Sequence, residues 1–112
     1  MHIHISNTTY VPKGTYNLKA VGAYSSGLIA LRIFNKEDNP ITTVTVNLWD
    51  KTLAVDTTGL VCVKDWSENE GILKDLIDNK VIHPKTLPIP TGYCTAHLCR
   101  LTDDAFKKLM DG

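Results

Sequence analysis

The sequence predicts an α+β fold: a mainly antiparallel sheet with one long helix packed on it and a short C-terminal helix. Three observations carry that reading. Alternating and β-branched apolar residues dominate the first half of the chain, a helical apolar stripe follows Trp66, and a shorter one follows Thr102. Strands segregated from helices define the α+β class. At 112 residues the chain has the commonest domain size. Two halves of about 55 residues would each sit near the lower limit for a self-supporting core. One domain spanning residues 1–112 is therefore expected.

His2, Ile3, His4 and Ile5 alternate as a short edge strand does, and Pro12-Lys13-Gly14 reads as a turn. Tyr16, Leu18 and Ala20 then share one strand face. Gly22 and Ser25-Ser26-Gly27 interrupt the chain before residues 28–34, which are apolar on both faces except at Arg32, as in a central strand. Asn35-Lys36-Glu37-Asp38-Asn39-Pro40 is the strongest turn signal and predicts a hairpin. In the next run, residues 41–49, Val44, Val46 and Leu48 point one way while Thr43, Thr45, Asn47 and Trp49 point the other. Asp50-Lys51-Thr52 ends it, Asp56-Thr57-Thr58-Gly59 turns the chain, and Leu60-Val61-Cys62-Val63 reads as a short buried strand.

The long helix is predicted to start at Ser67. Ser67 and Glu70 have the spacing of a capping box, and Glu68 adds negative charge to the first turn. Ile72, Leu73, Leu76 and Ile77 fall on one face, Asn79 suits a C-terminus and Pro84 forbids much continuation, giving about three turns. Val81-Ile82 reads as a brief strand, residues 83–92 as a Pro-rich extended connection, and residues 93–101 as the last strand. Thr102 before Asp103 and Asp104 is an N-cap with first-turn acids. Ala105, Phe106, Leu109 and Met110 form the apolar side of the closing helix.

Twelve basic and twelve acidic residues cancel. That global balance disfavours both a nucleic-acid binder and an acidic DNA mimic. No apolar run approaches the roughly 20 residues a membrane helix needs, and no secretory signal precedes residue 6. The odd set Cys62, Cys94 and Cys99 favours reduced thiols in a reducing compartment, and so a cytoplasmic location.

Cys94-Thr95-Ala96-His97-Leu98-Cys99 is the densest chemical cluster. On a strand, Cys94 shares a face with Ala96 and Leu98, while His97 and Cys99 point the other way, so three ligands do not converge on zinc. A Cys99–His97 nucleophile is sterically conceivable but lacks an orienting acid. Phosphate-binding glycine motifs and HExxH are absent. No enzyme activity, cofactor or metal is expected. Trp66 occupies the hydrophobic-staple position, yet its partner position holds Gly71, so its side chain is free for the core or for a binding partner. Trp49 lies on the Thr-rich strand face, a place where an exposed Trp serves binding.

The stretch Val61-Cys62-Val63-Lys64-Asp65-Trp66-Ser67-Glu68-Asn69-Glu70-Gly71-Ile72-Leu73 resembles the IKDYSENEGML signature of a small uncharacterised family of accessory proteins from phages, plasmids and conjugative elements. Pro90-Thr91-Gly92-Tyr93, Cys99-Arg100-Leu101 and Val44-Thr45-Val46-Asn47-Leu48 are similar to its other segments. Trp66 replaces the usual Tyr, Trp49 a usual Pro, and the N-terminus is longer. The resemblance implies a habitat and no mechanism.

These features together lead to the expectation of a phage or mobile-element accessory protein that binds a host protein or complex. A host defence system such as a CRISPR effector is one such target. The alternative is a nucleic-acid-binding regulator, which requires Lys13, Lys19, Arg32, Lys64 or Lys107-Lys108 to gather on one face. The expected partner-contact residues are Asp65, Trp66, Glu68 and Asn69, with Trp49. Asn69 and Gly71 are weak helix formers placed in a predicted first turn, and a local rule broken there marks function. A purely structural reading competes with this one: Gly71 lets the helix approach the sheet.

Overall fold

The computed structural model describes residues 1–47 and 58–111. In chain order its elements are β1 (His2–Ile5), β2 (Gly14–Ala23), β3 (Ile29–Phe34), β4 (Pro40–Thr43), β5 (Leu60–Val63), α1 (Ile72–Asp78), β6 (Leu87–Pro90), β7 (Thr95–Arg100) and α2 (Asp103–Asp111). A 3₁₀ turn at Ser67–Asn69 precedes α1.

The strands form two antiparallel sheets, β1-β2-β3-β4 and β5-β7-β6. This corrects the expected α+β arrangement of one sheet under one long helix: the fold is mostly antiparallel sheet, and both helices are short. The predicted three-turn helix is seven residues long and begins at Ile72. Two backbone positions explain the loss. Ser67 has a φ of 57° and Gly71 a φ of 96°, and neither conformation continues a right-handed helix. The expected capping box does not form, because Ser67 itself lies inside the 3₁₀ turn with no side-chain cap bond before it. The Pro-rich connection is a strand, β6, paired with β7 from Leu87↔Leu98 to Pro90↔Thr95. The predicted strand at 41–49 keeps its ladder only over Pro40–Thr43, and residues 48 and 49 lie outside the described residues.

The two sheets are sewn together where β4 ends. Val46 N donates to Cys62 O at 2.9 Å, Lys64 N donates to Val44 O at 2.8 Å, and Thr45 bridges Val63. One apolar core results. Ile3, Ile5, Leu18, Leu31, Ile33 and Val44 of the first sheet meet Val61 and Val63 of the second. Ile72 and Leu76 of α1 and Ala105 and Leu109 of α2 close it from the same side. The expected N-cap of α2 is present: Thr102 Oγ1 accepts from Ala105 N at 3.2 Å and donates to Lys80 O at 2.7 Å.

Each free strand edge is blunted by a specific residue. Asn79, at the end of α1, pairs with the outer edge of β1 as a neighbouring strand would. It accepts from His4 N and donates to His4 O, both at 2.8 Å. On β4, Asn69 Nδ2 donates to Thr43 O at 2.8 Å. On β6, prolines cannot donate, so the ladder bonds fall on Leu87 and Ile89, and Pro88 and Pro90 hold the outward positions. Unpaired edges invite strand addition, and each of these devices prevents it.

Replacing Thr102 with Ala removes the α2 cap and the bond to Lys80 O. The expected loss is about 1 kcal/mol of stability, read as a lower urea midpoint at unchanged m-value.

Candidate functional site

The most heavily bonded group in the described structure is the carboxylate of Asp75, on α1, with no exposed surface. It faces the chain just after β1. Oδ1 accepts from Ser6 N and Asn7 N at 3.0 Å and from Asn7 Nδ2 at 2.9 Å. Oδ2 accepts from Thr8 N at 2.9 Å and Thr8 Oγ1 at 2.6 Å. Burial alone pushes this carboxyl pKa up. The donors from Thr8, Ser6 and Asn7 outweigh burial and hold it below the ordinary value. Gly71, one turn earlier, lets the two segments touch: a Cβ there would lie 2.0 Å from Asn7 O. The structural reading of Gly71 therefore holds with a different neighbour, the Asn7-Thr8 backbone.

The segment expected to meet a partner is taken up largely by internal bonds. Asp65 Oδ1 accepts from Gly71 N at 3.0 Å and Leu73 N at 3.1 Å, so Asp65 caps α1 across the 3₁₀ turn. Asn69 is fully buried, and its Oδ1 accepts from Thr42 Oγ1 at 2.8 Å. Asn69 is enclosed while Asp65 stays partly exposed, and the weak helix formers at 69 and 71 have structural uses. Glu68 is exposed and pairs with Lys64 at 2.7 Å. That bond, with hydrogen bonds from its own backbone and from Ser67, lowers its pKa to about 2. Trp66 is half-buried, with Lys64 Nζ 5.8 Å from its ring centroid. Trp49 lies outside the described residues.

Trp66 belongs to a second apolar cluster on the other side of the second sheet. Leu28, Leu60, Cys62 and Ala96 are its buried centre, and Tyr24, Val46, Trp66, Ile89 and Leu98 ring it half-buried. Leu87, paired with Leu98, keeps 54% of its surface exposed beside that ring. Tyr93 is fully exposed at the turn of the same β6–β7 hairpin. There Thr91 N donates to Cys94 O at 2.8 Å, and Gly92 supplies a φ of 92°. Of the expected contact residues that are described, Trp66 joins this surface. Leu87 and Ile89 were not among the expected contacts, because three prolines within residues 84–90 read as a connection, and Tyr93 read as the start of the last strand. The alternation Leu87-Pro88-Ile89-Pro90 was the available signal for an edge strand.

The cysteines divide as strand alternation requires. Cys62 packs in the second cluster and Cys99 in the first. Burial pushes Cys62 up to about 11. Burial, with the nearby Cys62, pushes Cys99 up to about 12. Cys99 Sγ donates to the His97 carbonyl at 3.2 Å, while His97 Nδ1 faces Thr86 Oγ1 at 3.4 Å. The imidazole is thus turned to Thr86. Among the described residues no three His, Cys, Asp or Glu side chains are grouped to hold a metal.

Asp75→Asn presents an amide donor to a ring of donors, and is expected to cost at least about 3 kcal/mol. The native carboxyl is depressed on folding. Its stabilisation is present above the unfolded value of about 3.9 and is lost as pH falls through the folded value. Urea titrations from neutral to strongly acid pH should therefore show a stability drop beginning near pH 4 that is smaller in Asp75→Asn.

Comparison of the chain with protein-family models, with curated proteins and with solved structures finds no match.

Proposed function

We propose that this chain is a small accessory protein of a phage or other mobile element, without catalytic activity, that acts in the cytoplasm by binding a host protein or complex. A host defence system such as a CRISPR effector is a target of that kind. The observation that carries the reading is the apolar outer side of the second sheet. Trp66, Leu98 and Ile89 stand half-buried there, Leu87 is exposed beside them, and Tyr93 is bare at the tip of the hairpin. Contiguous exposed apolar surface marks interaction sites, and Trp and Tyr are the commonest anchors in them.

Three further observations support it. The resemblance of residues 61–73 to mobile-element accessory proteins supplies the habitat. Raised thiol pKa values at Cys62 and Cys99 leave those sulfurs protonated near neutral pH, which speaks against thiol catalysis. The blunted strand edges leave side-chain surfaces as the available mode of contact. No described helix is long and apolar enough to cross a membrane.

The test is affinity purification from a bacterial lysate, with a Leu87→Asp/Tyr93→Ser double variant beside the native chain. Both positions are exposed, so the variant should melt within a few degrees of the native protein. A host protein recovered with the native chain and depleted at least about tenfold with the variant is expected, since anchor residues each contribute more than about 1 kcal/mol. Recovery of the same proteins in equal amounts with both chains would oppose the reading. So would a phage-defence assay in which the native chain has no effect.

A further inference from the structure

The geometry points to the open face of the first sheet as a binding surface for single-stranded nucleic acid. Strand alternation sends Ile3, Leu18, Leu31 and Ile33 into the core. Their neighbours His2, Asn17, Lys19, Arg32, Phe34 and Thr43 face the opposite side. Both helices lie on the core side, through Ile72, Leu76, Ala105 and Leu109. The register then assembles two rows across the strands. Lys19 pairs with Arg32, which pairs with Thr43, and His2 pairs with Asn17, which pairs with Phe34. Two cations that are 13 positions apart in sequence become nearest neighbours, beside an aromatic ring.

The zero net charge of the chain hides a separation. Residues 1–36 contain Lys13, Lys19, Arg32 and Lys36 and no Asp or Glu. Elsewhere several lysines are neutralised in place: Lys64 by Glu68, Lys74 by Asp78 and Lys108 by Asp104. Arg32 instead spends its Nε on the neutral Thr43 Oγ1, at 3.0 Å. Strands β1–β4 carry no carboxylate, and the β3–β4 turn holds Glu37 and Asp38. Asp38 pairs with Lys19 at 2.6 Å, and both groups are exposed.

The chemistry of this face fits a single strand better than a duplex. An aromatic ring beside cations offers a stacking surface that unpaired bases can use and paired bases cannot, while the cations track a flexible backbone. Lys19 Nζ sits 4.7 Å from the Phe34 ring centroid. A base stacked on Phe34 displaces that ammonium toward the adjoining phosphate. Asn17, Thr43 and His2 supply hydrogen-bonding groups around the ring. This surface is separate from the apolar side of the second sheet, and the inference does not rest on the protein-binding reading.

The test is fluorescence anisotropy with labelled oligo(dT) and oligo(U), a duplex of equal length, and polyglutamate. Three phosphate contacts, from Lys19, Arg32 and Lys36, predict that affinity for a single strand falls about fifteen- to twentyfold between 50 and 200 mM salt. Lys19→Gln should weaken binding about five- to tenfold at low salt. Asp38→Asn, at an exposed turn residue, should tighten it by freeing Lys19. Phe34→Leu should weaken it without changing the salt dependence. Leu87→Asp/Tyr93→Ser should leave it unchanged, which separates this surface from the protein-binding one. The inference is overturned by the absence of salt-sensitive binding to either oligonucleotide. It is equally overturned by duplex or polyglutamate binding as tightly as the single strands, or by Lys19→Gln and Asp38→Asn shifting affinity in the same direction.

Discussion

The carboxylate of Asp75 ties together parts of the chain that nothing else would hold in register. Ser6, Asn7 and Thr8 leave β1 with three consecutive amide donors that no strand satisfies, and Asp75 accepts all three. One turn later on the same helix, Asn79 completes the outer edge of β1. The spacing of four residues puts both side chains on the helix side that faces the strand. A seven-residue helix has little stability of its own. It persists because its apolar side enters the core, its polar side replaces a missing strand, and Asp65 caps its start. Gly71 makes the contact sterically open, since any side chain there would collide with the Asn7 carbonyl.

Polar completion of sheet edges recurs around the molecule and has a consequence for recognition. Asn79 closes β1, Asn69 occupies β4, and two prolines strip donors from β6. A sheet treated this way does not recruit partners through its backbone. The faces carry two segregated chemistries. The second sheet carries half-buried Trp66, Ile89 and Leu98. The first sheet carries Lys19, Arg32 and Phe34 on strands that hold no acid. A net charge of zero is the sum of these unlike regions and describes neither of them.

Local patterns in the sequence settled several elements before any packing was known. Alternation marked β1, a run apolar on both faces marked β3, the Asn35–Pro40 turn marked the hairpin, and Thr102 with its two acids marked α2. These features depend on neighbours in sequence, and each was legible for that reason. The candidate surface was less legible. Trp66 was singled out from the sequence, whereas the bonds of Asp65 to Gly71 and of Asn69 to Thr42 are assigned only by the fold.

What the tertiary structure alone decided is wherever a partner lies far along the chain. Asp75 is 67 residues from Thr8, and no local signal connects them. The shortening of α1, the division of the strands into two sheets, and the conversion of a Pro-rich stretch into an edge strand all followed from long-range contacts. So did the meeting of Lys19 and Arg32, which only the β2–β3 register could bring side by side. The sequence by itself determined strand periodicity, the main turns and the N-cap of the closing helix, because hydrogen bonds and side-chain alternation within a few residues set them. Sheet number, helix length and the composition of each face were decided only when distant polar groups found one another, because burial requires every buried donor and acceptor to be matched wherever its partner lies in the chain.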